Sequence, residues 1–249
     1  MFLRRVTANF RKQDWTAVVV ELAVVVVGVF IGMQVTNWND ARIERSQEKS
    51  LLLQLHQDFE ESVAGQSRDL RFIDRQLSDQ AVILKSLDTC SVTPTDSEAF
   101  QRGISTLGYI NPPRLSRRTI DGMETAGKTD IIQNEAIKNE LAGIIAMAEW
   151  RKQGFDQVAR DTEHYRYIVE GLTRYAPARI YRDEFLGDFI GVDFDIRALC
   201  AEPTVASAIS AISNFTLERS NAYRPLLERY RNFLCRCWMP NSAQVGKLI

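Results

Sequence analysis

The sequence is poor in residues that punctuate a chain, with 13 glycines and 7 prolines in 249 residues. That is too few for a collagenous, linker-rich or tight-turned all-β protein. Histidine is scarcer still. His56 and His164 lie in no HExxH motif and at no spacing that puts two imidazoles on one helical face, and His56 with Glu60 is one pair rather than a metal site. No GxSxG, GxxxxGKS/T or GxGxxG occurs, so serine hydrolase, P-loop and Rossmann readings have no foothold. The acidic group Asp183, Glu184, Asp188, Asp193 and Asp195 lacks the one-three-five oxygen ligands followed by glycine of a calcium loop. Charge of one sign is also missing, since 31 Lys+Arg oppose 32 Asp+Glu for a net of -1, and no global field attracts a nucleic acid. These absences predict a chain that is not an enzyme, holds no cofactor or metal, and has no nucleic-acid partner.

What the sequence does have is one concentrated apolar run. Ala17 to Val35 reads AVVVELAVVVVGVFIGMQV, 19 residues with one ionisable group. As a helix it is about 28 Å long, close to the roughly 30 Å hydrocarbon core of a bilayer. Trp15 and Trp38 bracket it, as expected of indoles at the membrane interface. Arg4, Arg5, Arg11 and Lys12 precede it, opposed by Asp14 alone, whereas the residues after it are charge-balanced. The positive-inside rule then puts the N-terminus in the cytoplasm. A cleavable signal peptide is the rival reading, but Met33 to Trp38 offers no small-x-small cleavage site. The expected organisation is a cytoplasmic basic stub over 1–14, a transmembrane helix over 15–36, and an exported remainder. In a bacterium with two membranes this is an inner-membrane protein with a periplasmic domain. Phe2, Val6 and Phe10 recur among the basic residues, so the stub reads either as an amphipathic helix on anionic lipid or as a frayed tail.

Glu21 requires an explanation, because a carboxylate costs on the order of 2.5 to 3.5 kcal/mol at mid-span and less near an end. At 100° per residue, Glu21, Val25, Gly28 and Gly32 fall on one narrow face together with Thr36 and Asn39, and Gly28 with Gly32 makes a GxxxG pair. This stripe is the expected helix–helix contact in the membrane, where small residues allow close approach and the carboxyl finds a hydrogen-bond partner.

The junction Glu21 to Arg42, ELAVVVVGVFIGMQVTNWNDAR, resembles an uncharacterised family of bacterial single-span inner-membrane proteins, a domain of unknown function. Its pattern is Glu, an aliphatic run with Gly, then Gln-x-x-Asn-Trp-Asn. Glu21, Gly28, Gln34, Asn37, Trp38 and Asn39 fall on it. Gly32 and Thr36 depart from the usual Ala and Asn. Thr119 to Leu141 is similar to the family's helix, Gly-containing turn and Asn-led second helix. The resemblance implies topology and fold, and no activity.

Beyond the junction, Leu52, Leu55, Phe59, Val63, Leu70, Ile73, Leu77, Leu84 and Leu87 recur at three or four, or at seven across Gln66 and again from Leu77 to Leu84. They predict a long amphipathic, coiled-coil-like helix over 37–89, about 60 to 75 Å long. Thr95 to Glu98 (TDSE) reads as a capping box opening a short helix. Ser116 begins the next helix, Gly127 caps it, and Asn134 starts a long one that keeps its period to Pro177. From 178 to 202 the chain reads as irregular with a short helix or strand. Ile190, Val192, Phe194 and Ile196 alternate there, but no partner strand is evident. Pro203 opens a final helix to about Cys237, with Pro225 a kink. The fold class expected is all-α, an antiparallel helical bundle over 90–249 completed by the long helix.

Cys90, Cys200, Cys235 and Cys237 all lie in the exported part, where thiols oxidise. A disulfide of Cys90 or Cys200 with the Cys235/Cys237 pair is expected, against four reduced thiols. The function that fits is a bitopic, membrane-anchored helical scaffold or interaction protein of the bacterial cell envelope. Its partners are the lipid bilayer and either a second copy or an envelope protein. The competing reading is an accessory subunit of an ion-driven membrane complex that uses Glu21, since such subunits are organised around one acid in an N-in span.

Overall fold

The computed structural model describes residues 15–185 and 187–238. Arg4, Arg5, Arg11 and Lys12 lie outside the described residues, as do the side chains of Trp15 and Cys237. The first proline of the chain is Pro94, and the first helix, α1, runs without a break over Trp15–Thr89. The chain divides into two units, residues 1–51 and 52–249, and α1 contributes to both. The remaining elements are α2 (Ser97–Ser105), α3 (Arg118–Thr125), a 3₁₀ turn at Thr129–Ile131, α4 (Glu135–Glu170), strands β1 (Thr173–Asp183) and β2 (Gly187–Phe194), α5 (Ile196–Ala201) and α6 (Pro203–Trp238). The protein is mostly helical, and the departure from an all-α chain is the small two-stranded sheet.

Residue order along the contacts makes α1 and α6 antiparallel. Phe59 meets Phe233 and Tyr230, with ring centroids 4.3 and 5.6 Å apart. Leu70 and Ile73 cluster with Tyr223 and Leu227. Ile83 and Leu87 enter the largest core cluster with Val205, Ile209 and Ile212, alongside Phe100 and Ile104 of α2, Val169 of α4, Val192 of β2 and Leu199 of α5. Of the apolar seam read in α1, Leu55, Phe59, Leu70, Ile73 and Leu87 are buried against the chain's own elements. Those five are therefore used inside the fold.

Polar residues on α1 organise the other packing face. Asp58, Ser62, Gln66, Asp69, Gln76 and Asp79 are all buried; the first five satisfy the segment that links α2 to α3, and Asp79 accepts from Arg102 of α2 at 2.7 and 2.8 Å. That segment holds Pro112 and Pro113, so it runs extended with no ladder of its own, and its buried backbone groups need partners from elsewhere. Gln76 Nε2 donates to the carbonyls of Thr106 and Tyr109 at 3.0 and 2.9 Å. Arg114 N–H donates to Gln66 Oε1 at 3.0 Å and Ser116 N–H to Ser62 Oγ at 2.9 Å. The gap at Gln66 in the apolar seam is thus a buried acceptor. Ser116 is an anchor of this strap, and the helix expected to begin there starts at Arg118.

Helix caps follow the sequence where the capping group is local. Asn134 accepts from the N–H groups of Ala136 and Ile137 at 3.0 and 3.3 Å. Gly127, at φ 63, ends α3; its N–H reaches Glu124 and that of Lys128 reaches Met123, which is a Schellman motif. The expected capping box at Thr95 to Glu98 does not form: the N-cap is Asp96, whose carboxylate accepts from Lys85 Nζ at 3.0 Å, while Thr95 Oγ1 bonds Thr93 Oγ1 at 2.8 Å and Glu98 pairs with Arg102 at 3.4 Å. Thr93 Oγ1 instead accepts the Asp96 N–H. The N-terminus of α3 is capped from a distance: Asp58 of α1 accepts from Thr119 N–H at 2.8 Å and from Ser116 and Arg118 side chains. The end of α1 repeats the Schellman pattern, with Ser91 N–H on Ser86 and Cys90 N–H on Leu87. There the left-handed position is filled by Cys90, at φ 47, where a non-glycine residue costs about 1–2 kcal/mol.

The region expected to be irregular is an antiparallel hairpin. The alternating β2 pairs with β1, from Thr173 opposite Phe194 to Asp183 opposite Gly187, with a register shift between Ala176 and Ile180. Pro177 lies in that irregularity, where a strand tolerates a missing donor. It does not terminate α4, which ends earlier, at Glu170. β1 escaped notice because it has no alternating apolar pattern: Ile180 is exposed, and Ala176 and Asp183 are its buried residues. The hairpin docks on α2, where Gln101 Oε1 accepts from Val192 N–H at 2.7 Å and Ser105 Oγ donates to the Ile190 carbonyl at 2.8 Å. Gly191 is required at this approach, because a Cβ would sit 2.7 Å from the Tyr181 ring.

Two predictions follow from α1. Phe59→Ala opens a cavity between α1 and α6 and costs about 3–5 kcal/mol, whereas Leu53→Ala, at an exposed site, stays within about 0.5 kcal/mol; chemical denaturation of the full chain measures both. Burial raises the Asp58 carboxyl, but bonds from Thr119, Arg118 and Ser116 outweigh it and hold it below the ordinary carboxylate value. Its contribution is therefore complete above the unfolded value near about pH 4 and is lost as pH falls through the lower folded value. Asp58→Asn is expected to be less stable than the parent at neutral pH, with the difference shrinking below about pH 4.

Candidate functional site

The part of α1 in the first unit presents exposed apolar side chains. From Val19 to Val35 the large apolar residues are between 55% and 65% exposed, and Trp38 is 66% exposed. A water-soluble monomer rarely shows a contiguous apolar patch beyond about 300–600 Å², and this helix is apolar on every side. It is long and apolar enough to cross a membrane, with a mean hydropathy of 2.2 in its best window. Within it, Glu21, Val25, Gly28 and Gly32 recur at spacings of four, three and four, which a helix brings onto one face. A Cβ added at Gly28 or Gly32 would meet no atom within 4 Å. Each glycine costs the helix about 1 kcal/mol relative to alanine, and no packing among the described residues explains either. Thr36 continues this face, its hydroxyl donating to the Gly32 carbonyl at 3.1 Å, which satisfies a polar group without water.

In the second unit, α4 and α6 enclose a cavity of about 240 Å³. Its walls include Trp150, Phe155 and Val158 of α4 and Ala222 and Tyr223 of α6, with Arg219 among them. Arg219 is 94% buried, from a relative exposure of 6%. Its Nη2 donates to Gln76 Oε1 at 2.5 Å and Nη1 to the Tyr109 carbonyl at 3.2 Å, while Nε has no partner. No carboxylate lies within ion-pair distance of it among the described residues. Burial accordingly pulls the guanidinium down to about 10, against the opposing influence of Tyr223 and Asp69. The Tyr223 hydroxyl donates to the Asn111 carbonyl at 2.6 Å, so both residues also clamp the strap on α1. The cleft combines apolar walls with Arg219 and, beside it, Arg151 and Glu218. No motif marks Arg219 in the sequence, although its spacing of seven from Ile212 and four from Tyr223 puts it on the buried face of α6.

The cysteines are not arranged as expected. Cys90 and Cys200 converge on one atom, with Cys90 Sγ 3.5 Å and Cys200 Sγ 3.3 Å from the Leu87 carbonyl oxygen. Cys235 is exposed on α6, 32 residues beyond Pro203 and so about 48 Å along the helix. The structure thus brings Cys90 to Cys200, and the pairing of either with Cys235 is out of reach. The acidic group of the hairpin region is taken up by arginines: Asp183 and Glu184 bind Arg75 at 2.7 and 2.8 Å, and Asp193 binds Arg179 and Arg174. Among the described residues no group of three or more His, Cys, Asp and Glu side chains is placed to hold a metal ion.

No family model, curated protein or solved structure matches the chain. The resemblance at residues 21–42 rests on those residues alone.

Arg219 carries a prediction of its own. Arg219→Ala leaves Gln76 Oε1 without its donor and removes the clamp on the Tyr109 carbonyl, and it is expected to cost about 2–4 kcal/mol in thermal or chemical unfolding.

Proposed function

We propose that this chain is a bitopic, membrane-anchored helical interaction protein of the bacterial cell envelope, with no catalytic role. The observation that carries this reading is the helix of residues 19–35, whose large apolar side chains are exposed and uncovered among the described residues. Burying such a surface in lipid removes its cost in water, and the helix satisfies its own backbone hydrogen bonds, as a spanning segment must. The basic residues before the span orient it with the N-terminus in the cytoplasm and residues 52–249 on the periplasmic side of the inner membrane. Trp15 and Trp38 mark the two interfaces.

The interaction surface in this proposal is the stripe Glu21, Val25, Gly28 and Gly32, paired with the same stripe of a second copy or with the helix of an envelope partner. The two glycines support it, because among the described residues nothing uses their small size. A close helix–helix approach then gives van der Waals contact along the pair and lets Glu21 share a hydrogen bond rather than face lipid. In place of a coiled-coil seam on the exported domain, whose buried leucines serve the fold, the membrane stripe is the part of α1 left to a partner.

Two measurements test this. An alkaline phosphatase fused to the C-terminus should be active, as it is only outside the cytoplasm; an inactive fusion that regains activity when the N-terminal basic residues are relocated would overturn the orientation. In mild detergent or a membrane two-hybrid assay, Gly28→Leu with Gly32→Leu should reduce self-association or partner recovery at least about tenfold, with residues 52–249 folded as before. Glu21→Gln should keep most of that association, since the amide still hydrogen-bonds. Retained association with complete loss of an ion-coupled activity would instead favour the accessory subunit of an ion-driven complex.

A further inference from the structure

Cys90 and Cys200 lie 110 positions apart in the sequence, yet their sulfurs approach the same carbonyl oxygen, that of Leu87, from the end of α1 and from α5. One oxygen serves two thiols, and each thiol is a neighbour of the other. Their positions are held by packing rather than by loops. Leu87 and Leu199, the residues beside the site on each element, belong to the same buried cluster. Asp195 fixes the start of α5 by accepting the Arg197 N–H at 2.9 Å. Cys90 also occupies the left-handed position of a Schellman cap, φ 47, where glycine or asparagine is the usual residue. A cysteine kept in a strained position, facing a second cysteine, points to use of its sulfur.

We propose that Cys90 and Cys200 are an oxidative modification site: they close an intramolecular disulfide that clasps the end of α1 to α5, formed by exchange with a small disulfide or a disulfide-carrying oxidoreductase. Cys90 is exposed and Cys200 is half-buried, so Cys90 meets the oxidant. Its thiolate attacks one sulfur of the oxidant RSSR, breaking that S–S bond, releasing one RS⁻ and leaving Cys90 as a mixed disulfide. The Cys200 thiolate then attacks Cys90 Sγ and expels the second RS⁻. The two cysteine protons end on the two released thiolates, so two protein thiols and RSSR become one protein disulfide and two RSH. Burial, with a contribution from the Cys90 thiol, pushes the Cys200 thiol up to about 11, which suits it to the second, intramolecular step, where proximity offsets a small thiolate fraction. The clasp closes residues 90 to 200 into a covalent loop and so restricts the unfolded chain far more than the folded one.

The test is done on the full-length chain, purified in mild detergent under reductant, and its result does not depend on the topology proposed above. After the reductant is removed, the protein is incubated with oxidised glutathione, its thiols are blocked with N-ethylmaleimide, and it is digested with trypsin without reduction. Mass spectrometry should find Ser86–Arg102 joined to Ala198–Arg219, two hydrogens lighter than the sum of the peptides. Reduction should then lower the unfolding temperature by several degrees, a shift that Cys90→Ser and Cys200→Ser each abolish and Cys235→Ser does not. Recovery of the two peptides separately, alkylated or capped by glutathione, overturns the proposal, as does joining of either to Cys235 or Cys237.

Discussion

The antiparallel packing of α1 on α6 is the constraint from which the rest of the second unit follows. Phe59, Leu70, Ile73, Ile83 and Leu87 descend one helix while Phe233, Leu227, Tyr223, Ile212 and Val205 ascend the other. With that pairing in place, α1 has a second buried face, and it is polar: Asp58, Ser62, Gln66, Asp69, Gln76 and Asp79. A polar face is tolerated in an interior only when its groups are matched. Here the match is an extended, proline-containing strap that cannot satisfy its own backbone. The two deficits cancel, and the same bonds cap α3. Arg219 and Tyr223 of α6 tie the strap from the other side, so both long helices and the strap form one network.

The same helix that is matched residue for residue beyond Leu52 is unmatched before it. Between Val19 and Val35 the side chains of α1 are exposed, and its glycines meet no atom within 4 Å among the described residues. Backbone hydrogen bonds are made within the helix, so the side chains alone decide which solvent it suits. That separation explains how one uninterrupted helix carries an exposed apolar stretch and a stretch built into a folded unit with no change in secondary structure between them.

The hairpin and the cysteine pair carry a different lesson. β1 has little burial of its own, with Ile180 exposed, and it exists because β2 supplies its partner and α2 supplies acceptors and donors for β2. Cys90 and Cys200 likewise meet because Leu87 and Leu199 share a core. In both cases the apolar pattern of the segment itself is silent, since its placement rests on contacts with another element: β2 with Gln101 of α2, 91 positions away, and Cys200 with the Leu87 carbonyl, 113 positions away.

Read alone, the sequence determined the apolar span, its glycine stripe, the helical period of α1, α4 and α6, the stop at Gly127 and the start at Asn134. Each of these is set by side chains within one or two turns, or by a composition that no tertiary context is needed to interpret. The tertiary structure decided the use of the α1 seam within the fold, the partner of the alternating strand, and the pairing of Asp96 with Lys85 at the start of α2. It also decided the capping of α3 by Asp58, the burial of Arg219 and the meeting of Cys90 with Cys200. The physical reason is the range of the interaction. Helical periodicity and capping are local, whereas a hydrogen bond from Arg114 to Gln66 spans 48 positions and a pair of thiols on one carbonyl spans 110, so each exists only in the folded chain.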